Sequence, residues 1–308
     1  MQEIDIKKTY SIPLMYYFYK KIILKLYNIT NPNPSNFLIY SGDIIGLGPQ
    51  FFNSHEPHLV EAIIDFTRSK YGEFFLDIGA NIGLISCLVH KHFDLIEVVE
   101  PNPDCIYALK KNFNIANIRN YKINEFALDD KDGYGDLMVP KHNMGGGFKV
   151  GNNNIYTEDQ LANKDGFKKI NNDNYNIIKI ENKSSQEYFR SFFNKISLLN
   201  KKSGIIKIDI EGMEISIIKK IALTLPHNIS VIIFFENLNN EIDRVRLASY
   251  FNNRKVSLYS FDKNFINCNY FKKLSLLILS FLMLRIEYSY TETSSNYVKS
   301  TDLVLKVE

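Results

Sequence analysis

Short apolar runs that alternate with helical patterns constrain the fold of this chain more than any other feature of its sequence. Residues 73–78, 95–100 and 121–128 are such runs, and segments with helical spacing precede and separate them. Two further runs, at 204–210 and 228–236, are each followed by a helical pattern. Strands and helices in this order are typical of parallel sheets covered by helices on both faces. The sequence therefore predicts an α/β fold with a doubly wound, mostly parallel sheet.

The remaining segments indicate how this domain is extended. The last two strands are predicted within residues 255–261 and 302–308, which makes a seven-stranded sheet. Residues 140–203 interrupt the alternation, beginning with a stretch rich in Gly and Asn, and are predicted to fold over the site as a substrate lid. Residues 1–50 are predicted to form an N-terminal helical cap on a main domain of residues 51–308.

Charge and cysteine content restrict the partners and the compartment. The net charge of +3 is small for a protein that binds nucleic acid, so no nucleic-acid partner is predicted. Three widely spaced cysteines indicate free thiols in a reducing compartment. The longest apolar run, residues 274–284, is too short to cross a bilayer, and a cytoplasmic location is expected. Residues 13–29 combine aromatic, aliphatic and lysine side chains, which suits either a cap over the cofactor entrance or peripheral contact with a membrane.

The glycines after the first predicted strand indicate which cofactor is bound. Gly79 and Gly83 follow Asp77, but Asn81 and Leu84 stand where a dinucleotide fingerprint would need glycines. A pyrophosphate would be crowded there, so a cofactor with an amine and no phosphate fits better. We expect Asp77 to hold an ammonium group and the loop through Asn81 to pass close to the cofactor. The alternative is a tight turn without a ligand.

Polar residues at the next two strand ends extend this prediction. Glu100 ends the second strand, where a carboxylate can bind two ribose hydroxyls. Asn124 and Glu125 end the third strand, where a side-chain oxygen can accept a hydrogen bond from an adenine amino group, and Phe126 can flank the ring. An ammonium site, a ribose site and an adenine site together describe S-adenosylmethionine. Taken singly, each of these residues could be an ordinary strand end or turn.

Three motifs resemble the FkbM-type family of S-adenosylmethionine-dependent methyltransferases. They are FLDIGANIG at 75–83, VVEPNP at 98–103 and IIKIDIEGMEISII at 205–218. The resemblance covers about residues 55–240 in order, and the third motif is its most distinctive part. It implies a class I methyltransferase fold, which is Rossmann-like, and O-methylation, often of sugars or small natural products.

The fourth predicted strand carries the candidate catalytic residues, since in class I methyltransferases it ends beside the methyl group. Lys207, Asp209 and Glu211 alternate and are expected on one side of the extended chain. A carboxylate there could accept the proton that a substrate hydroxyl loses. Alternatively, Asp209 and Glu211 only cap the next helix. His142, in the predicted lid, is either a substrate contact or base, or a surface residue.

A metal-dependent variant uses the end of the fifth strand. Glu236 and Asn237 are expected next to Asp209, and this oxygen-rich set would suit Mg²⁺. Alternatively, Glu236 only lines the methyl-donor pocket. His55 and His58 flank a proline at the start of the first helix and are predicted to be structural.

These features predict an S-adenosylmethionine-dependent O-methyltransferase that acts on a sugar hydroxyl of a glycan or glycolipid precursor, in polysaccharide biosynthesis. The alternatives are an O-methyltransferase of a small natural product, a cofactor-binding module without turnover, and a nicotinamide-dependent oxidoreductase. The absence of a D/N-P-P-Y/F element at the fourth strand, which reads DIEG instead, argues against amino-directed methylation of nucleic-acid bases.

Overall fold

A computed structural model describes most of the chain from residue 55 onward. The predicted cap at 1–50 lies outside the described residues except for 37–40, and so does the whole of 13–29. At Leu38 the backbone exchanges two hydrogen bonds with the side chain of Asn112. Within the part of the chain that is described, no helix is long and apolar enough to cross a membrane. The described residues are 37–40, 55–149, 154–237, 242–265, 286–293, 295–298 and 300–308.

The described residues form fourteen strands. They are β1 (Phe74–Ile78), β2 (Ile96–Val99), β3 (Tyr121–Asn124), β4 (Ala127–Asp129), β5 (Gly133–Pro140), β6 (Phe148–Lys149), β7 (Tyr175–Ser184), β8 (Ser203–Ile208), β9 (Ser230–Glu236), β10 (Ile242–Asp243), β11 (Val256–Phe265), β12 (Ile286–Glu292), β13 (Tyr297–Val298) and β14 (Asp302–Val307). These strands form three sheets, of which the largest has eight strands in the order β12-β11-β14-β9-β8-β1-β2-β3.

The direction of the strands in the large sheet confirms the predicted α/β class. Strands β3, β2, β1, β8 and β9 are mutually parallel, whereas β14 runs antiparallel to both of its neighbours. The predicted count of seven strands is one too low, because β12 adds an antiparallel edge to β11. The sequence of β12, IEYSYTE, alternates Ile and Tyr with polar residues as antiparallel strands do, and the prediction of seven strands omits it.

Helices cover both faces of the large sheet, because its central strands are apolar on both sides. Every residue of β1 and of β8 is buried. The α-helices of the described residues are α1 (Pro57–Phe66), α2 (Leu84–Val89), α3 (Pro103–Ile115), α4 (Glu158–Lys164), α5 (Ser185–Leu198), α6 (Glu214–Thr224) and α7 (Arg244–Ser249). One face of the sheet packs against α5 and α6, through residues such as Phe193 and Ile218, and the other packs against α1, α2 and α3.

A second sheet, with the strand order β4-β7-β5-β6, forms an insertion between β3 and α5. It begins at Ala127, upstream of the predicted lid segment, and ends at Ser184. Helix α4 packs on it, and Phe148, Leu161 and Tyr175 belong to its own apolar core. By contrast, α5 lies within the segment predicted as lid but packs on the large sheet. We call residues 127–184 the insertion.

The two glycines after β1 are required by packing within the protein. A Cβ at Gly79 would lie 1.8 Å from the backbone oxygen of Asp209, and its φ is +77°. A Cβ at Gly83, where φ is +79°, would lie 3.0 Å from Leu109 and Phe113 of α3. A side chain at position 79 would therefore push apart the chain segments that follow β1 and β8.

Gly79 and Gly166 have the same φ but different surroundings, so replacing each with alanine should cost different amounts of stability. Gly79→Ala should lower the free energy of unfolding by about 3–5 kcal/mol, since it adds a steric overlap to the strain of a positive φ. Gly166 also has a φ of +77°, but a Cβ added to it would meet no described atom within 4 Å. Gly166→Ala should cost only about 1 kcal/mol. Urea unfolding of both variants measures the difference, and equal losses would contradict the role assigned to the contact with Asp209.

Candidate functional site

A cleft opens at the carboxyl ends of the central strands, with about 570 Å³ of empty space that includes open solvent. The large sheet supplies one wall, through residues such as Gly79, Glu100 and Asp209, and the insertion supplies the other, including Phe148 and Lys149. The cleft therefore lies where ligands bind in doubly wound folds.

Glu100 is anchored in this cleft by the backbone. Its two carboxylate oxygens accept hydrogen bonds from the N–H groups of Asn81 and Asn102, each at 2.8 Å. A carboxylate has about four lone-pair sites, so each oxygen can still accept one more hydrogen bond. Burial raises the pKa of Glu100 to about 7, although the two N–H groups oppose this shift. The position is suited to a pair of neighbouring hydroxyl groups.

The predicted adenine residues are separated by the structure. Phe126 lines the cleft. Asn124 is buried, and its amide nitrogen donates to the Glu97 carboxylate and to the Val98 carbonyl, both at 3.0 Å. Glu125 is half exposed and forms an ion pair of 2.5 Å with Lys110. Neither Asn124 nor Glu125 is among the residues that line the cleft. Their contact with adenine stays a prediction that this geometry does not support.

Asp77 is fully buried behind the cleft wall. One carboxylate oxygen accepts a hydrogen bond of 2.7 Å from the Ser86 hydroxyl, and the other lies 3.5 Å from the Lys207 ammonium. Asp77 and Lys207 are paired in register across β1 and β8. Burial raises the pKa of Asp77, whereas Lys207 and Ser86 lower it. Asp77 therefore holds Lys207 in place, and its expected contact with a cofactor ammonium is not supported by this arrangement.

Lys207 is a buried cation between two carboxylates. Its ammonium lies 3.1 Å from Asp209 and 3.5 Å from Asp77, and it donates to the Gly79 carbonyl. Burial alone would lower the pKa of Lys207, but Asp209, Asp77 and Glu56 together raise it. Lys207 therefore stays charged, and its ion pair orients the side chain of Asp209.

Asp209 lies where three cavities meet. It lines the large cleft and also two smaller cavities. One of these, the acidic cavity, is bounded by Glu56, Glu236 and Asp302 together with Lys207 and apolar residues. The other is bounded by His55 and by the loop from Gly79 to Ile82. A group bound in either small cavity would therefore reach the same carboxylate as a group bound in the cleft.

Glu211 does not continue the strand as predicted. β8 ends at Ile208, and Glu211 has a φ of +55°, so it does not share an extended face with Lys207 and Asp209. Its carboxylate instead pairs with Lys164 of the insertion. The residue that holds the following turn is Glu214, which is buried and accepts hydrogen bonds from the backbone N–H groups of Ile210 and Gly212.

The acidic cavity keeps part of its carboxyl groups protonated. The charge of Asp209, together with burial, raises the pKa of Glu236 to about 10. Burial and the charge of Asp209 raise the pKa of Glu56 to about 7. Asn237 is not among the residues that line the acidic cavity, and its side-chain amide donates a hydrogen bond to the Ser300 carbonyl. Across the described ranges, no group of three or more His, Cys, Asp or Glu side chains is placed to hold a metal ion, so the predicted Mg²⁺ site has no support.

His55 and Glu56 are site residues that the sequence alone does not reveal. The sequence predicts a structural role for His55, but this residue lines a cavity with Lys207 and Asp209. Burial and the charge of Lys207 lower its pKa to about 4, so its imidazole is neutral. The conformation of Glu56 is left-handed, with φ at 44°. His142, by contrast, packs edge-on against Phe167 in the insertion and is not among the residues that line the three cavities.

The sequence matches the model of the methyltransferase FkbM domain over residues 77–263, which is more than half of the chain. The chain belongs to the FkbM methyltransferase family. The matched region runs from Asp77 to β11, and it includes the cleft, the insertion and Asp209. This FkbM domain is therefore an S-adenosylmethionine-dependent methyltransferase with a Rossmann-like class I fold.

Other comparisons add no closer relative. No curated protein matches the sequence. A precorrin-6Y C5,15-methyltransferase from Geobacter metallireducens GS-15 is 12% identical, with 82% of this chain and 88% of that chain covered and a TM-score of 0.37. A SAM-dependent methyltransferase from Agrobacterium tumefaciens is 8% identical, with 82% and 61% covered and a TM-score of 0.38.

The cleft of the FkbM domain fits the cofactor of its family. Glu100 offers two oxygens to a ribose diol, Phe126 offers an aromatic face to a base, and no phosphate has to be accommodated beside Asn81. The sequence prediction of S-adenosylmethionine thus agrees with the family and with the donor set of the cleft.

The raised pKa of Glu100 leads to a pH-dependent prediction. Below about pH 7 its carboxyl is protonated and loses an acceptor, so affinity for S-adenosylhomocysteine should fall about tenfold from pH 8 to pH 6. Glu100→Gln should remove most of this dependence and cost about 2 kcal/mol at pH 8. Calorimetric titration at both pH values measures these effects. Glu125→Gln is the control, since its half-exposed carboxylate pairs with Lys110, and unchanged binding is expected.

Proposed function

We propose that this methyltransferase transfers its methyl group to an oxygen, on a sugar hydroxyl of a glycan or glycolipid precursor in polysaccharide biosynthesis. The observation that carries the proposal is the position of Asp209, whose carboxylate borders the cofactor cleft and both smaller cavities. Transfer to a hydroxyl requires an acceptor for the hydroxyl proton close to the methyl group. Asp209 would meet that requirement, because it directly follows β8 and borders the cofactor cleft.

In the proposed reaction, S-adenosylmethionine supplies a methyl group activated by its positive sulfonium. Asp209 would accept the proton that the acceptor hydroxyl loses as its oxygen bonds to the methyl carbon, while the sulfur–methyl bond breaks and S-adenosylhomocysteine leaves. Lys207, at 3.1 Å, keeps the Asp209 carboxylate oriented before the reaction. Glu100 and Phe126 hold the nucleoside part, so that the reacting carbon and the acceptor oxygen are brought into line, which is a positioning effect.

The acidic cavity favours a polyhydroxylated acceptor over an apolar one. Glu236 is protonated at neutral pH and can donate a hydrogen bond, whereas Glu56 and Asp302 can accept hydrogen bonds. Sugar hydroxyls both donate and accept, so they can pair with each of these groups. Phe234 and Leu59 in the same cavity give a sugar ring an apolar surface to pack on.

Incubation with S-adenosylmethionine labelled in its methyl group tests this proposal. Nucleotide sugars, glycolipids and oligosaccharides are supplied as acceptors, and products are identified by mass analysis. A product with the label on a sugar oxygen is expected, and Asp209→Asn should lower kcat at least about 100-fold, the usual contribution of a general base. The affinity of Asp209→Asn for S-adenosylhomocysteine, measured in parallel, should stay within a few fold.

Two results would contradict the proposal. Label recovered on nitrogen or carbon would refute O-methylation. Full turnover by Asp209→Asn would remove this residue as the proton acceptor, and His55→Gln would then be the variant to measure, because His55 borders the same cavity as Asp209.

A further inference from the structure

The insertion is joined to the turn after β8 by a charged pair. Lys164, the last residue of α4, forms an ion pair with the Glu211 carboxylate. The side chains are only 20% and 13% exposed, so water screens the pair less than it would at the surface. Lys164 belongs to the insertion and Glu211 lies two residues after Asp209. The pair therefore connects the two walls of the cofactor cleft.

Hydrogen bonds accompany the ion pair at the same junction. The Asn154 side-chain amide donates to the Lys149 and Glu211 carbonyls, at 2.9 and 2.8 Å. The Ile155 N–H donates to the Gly212 carbonyl at 3.0 Å. A Cβ at Gly212, where φ is +105°, would lie 2.0 Å from the Asn154 side-chain oxygen. The two segments thus approach so closely that a side chain at position 212 would collide with Asn154.

Helix α4, which ends at Lys164, is held at both ends by hydrogen bonds and packs on the core of the insertion. The helix begins with a capping box in which the side chain and backbone of Thr157 pair with those of Gln160. Its end is held by Asp165, which accepts a hydrogen bond of 2.9 Å from the Tyr175 hydroxyl of β7. Leu161 is buried in the core of the insertion. A change at Lys164 therefore alters the junction and also removes the ammonium that lies 3.8 Å from the Asp165 carboxylate, while Leu161 and the capping box of α4 are left in place.

We propose that Lys164 is a positioning residue, whose ion pair with Glu211 fastens the insertion to the turn that carries Asp209 and so sets the width of the cofactor cleft. On this view Glu211 acts through Lys164 and takes no part in proton transfer. The inference rests on the methyl donor of the family and does not depend on the acceptor proposed above.

Four variants of the full chain test the role of this pair through S-adenosylhomocysteine binding, which needs no acceptor. Lys164→Met and Glu211→Gln should each weaken binding about tenfold, and the double variant should be no more than about twofold weaker than either, as expected for two residues that act as one pair. Lys164→Arg keeps the charge and should bind within about threefold of the unmodified protein.

Hydrogen exchange provides a second readout that needs no ligand. Exchange at the Ile155 amide, which bonds to Gly212, should speed up in Lys164→Met, while the amides of β1 stay protected. Lys183→Met is the matched control, since Lys183 pairs with Glu181 and Asp132 on an exposed part of the insertion, with 39% of its own side chain exposed. In Lys183→Met, both the affinity for S-adenosylhomocysteine and the exchange rate of the Ile155 amide should be unchanged.

Several results would overturn this role for Lys164. Unchanged binding by Lys164→Met would overturn it, and so would additive losses in the double variant. A Lys164→Arg protein as weak as Lys164→Met would show that charge is not what matters. A loss of turnover in Glu211→Gln alone, with binding intact, would instead restore Glu211 as a proton acceptor.

Discussion

The contact between Gly79 and the backbone oxygen of Asp209 is the constraint on which the site depends. It brings together the chain segments that follow β1 and β8, and only a residue without a Cβ allows it. Once these segments touch, the backbone of Asp209 is fixed at the sheet edge, and its side chain is directed to the point where the three cavities meet. The glycine therefore serves the cofactor indirectly, through the position of a carboxylate.

The position of the Asp209 carboxylate also depends on the charges around Lys207. A single ammonium lies between Asp77 and Asp209, and all three side chains lie at or behind the wall of the site. Glu56 and Glu236 share the acidic cavity with Asp209, whose charge acts together with burial to raise the pKa of both carboxyl groups. The outcome is a cavity that both donates and accepts hydrogen bonds, which suits the neutral, hydroxyl-rich acceptor proposed here.

The predictable part of the site consists of residues whose role follows from their place on a strand. Glu100 follows β2 and Asp209 follows β8, and strand ends meet at one edge of a parallel sheet, so both are predictable and both line the cleft. Asn124 also ends a strand, but the buried carboxylate of Glu97 needs hydrogen-bond donors, and the Asn124 amide supplies one of them. The position of a residue at a strand end does not reveal which buried neighbour its side chain will hydrogen-bond to.

By itself, the sequence determined the five parallel strands of the large sheet, the methyl-donor cofactor and the family, because these follow from local patterns and from motifs of fixed spacing. The tertiary structure decided which side chains share a cavity. Glu56, Glu236 and Asp302 are far apart in the chain and meet only when α1, β9 and β14 pack together. It also decided that Glu211 pairs with Lys164, since the insertion that carries Lys164 has to fold before it can reach that turn. Contacts between distant segments depend on packing and burial, and no local pattern records them.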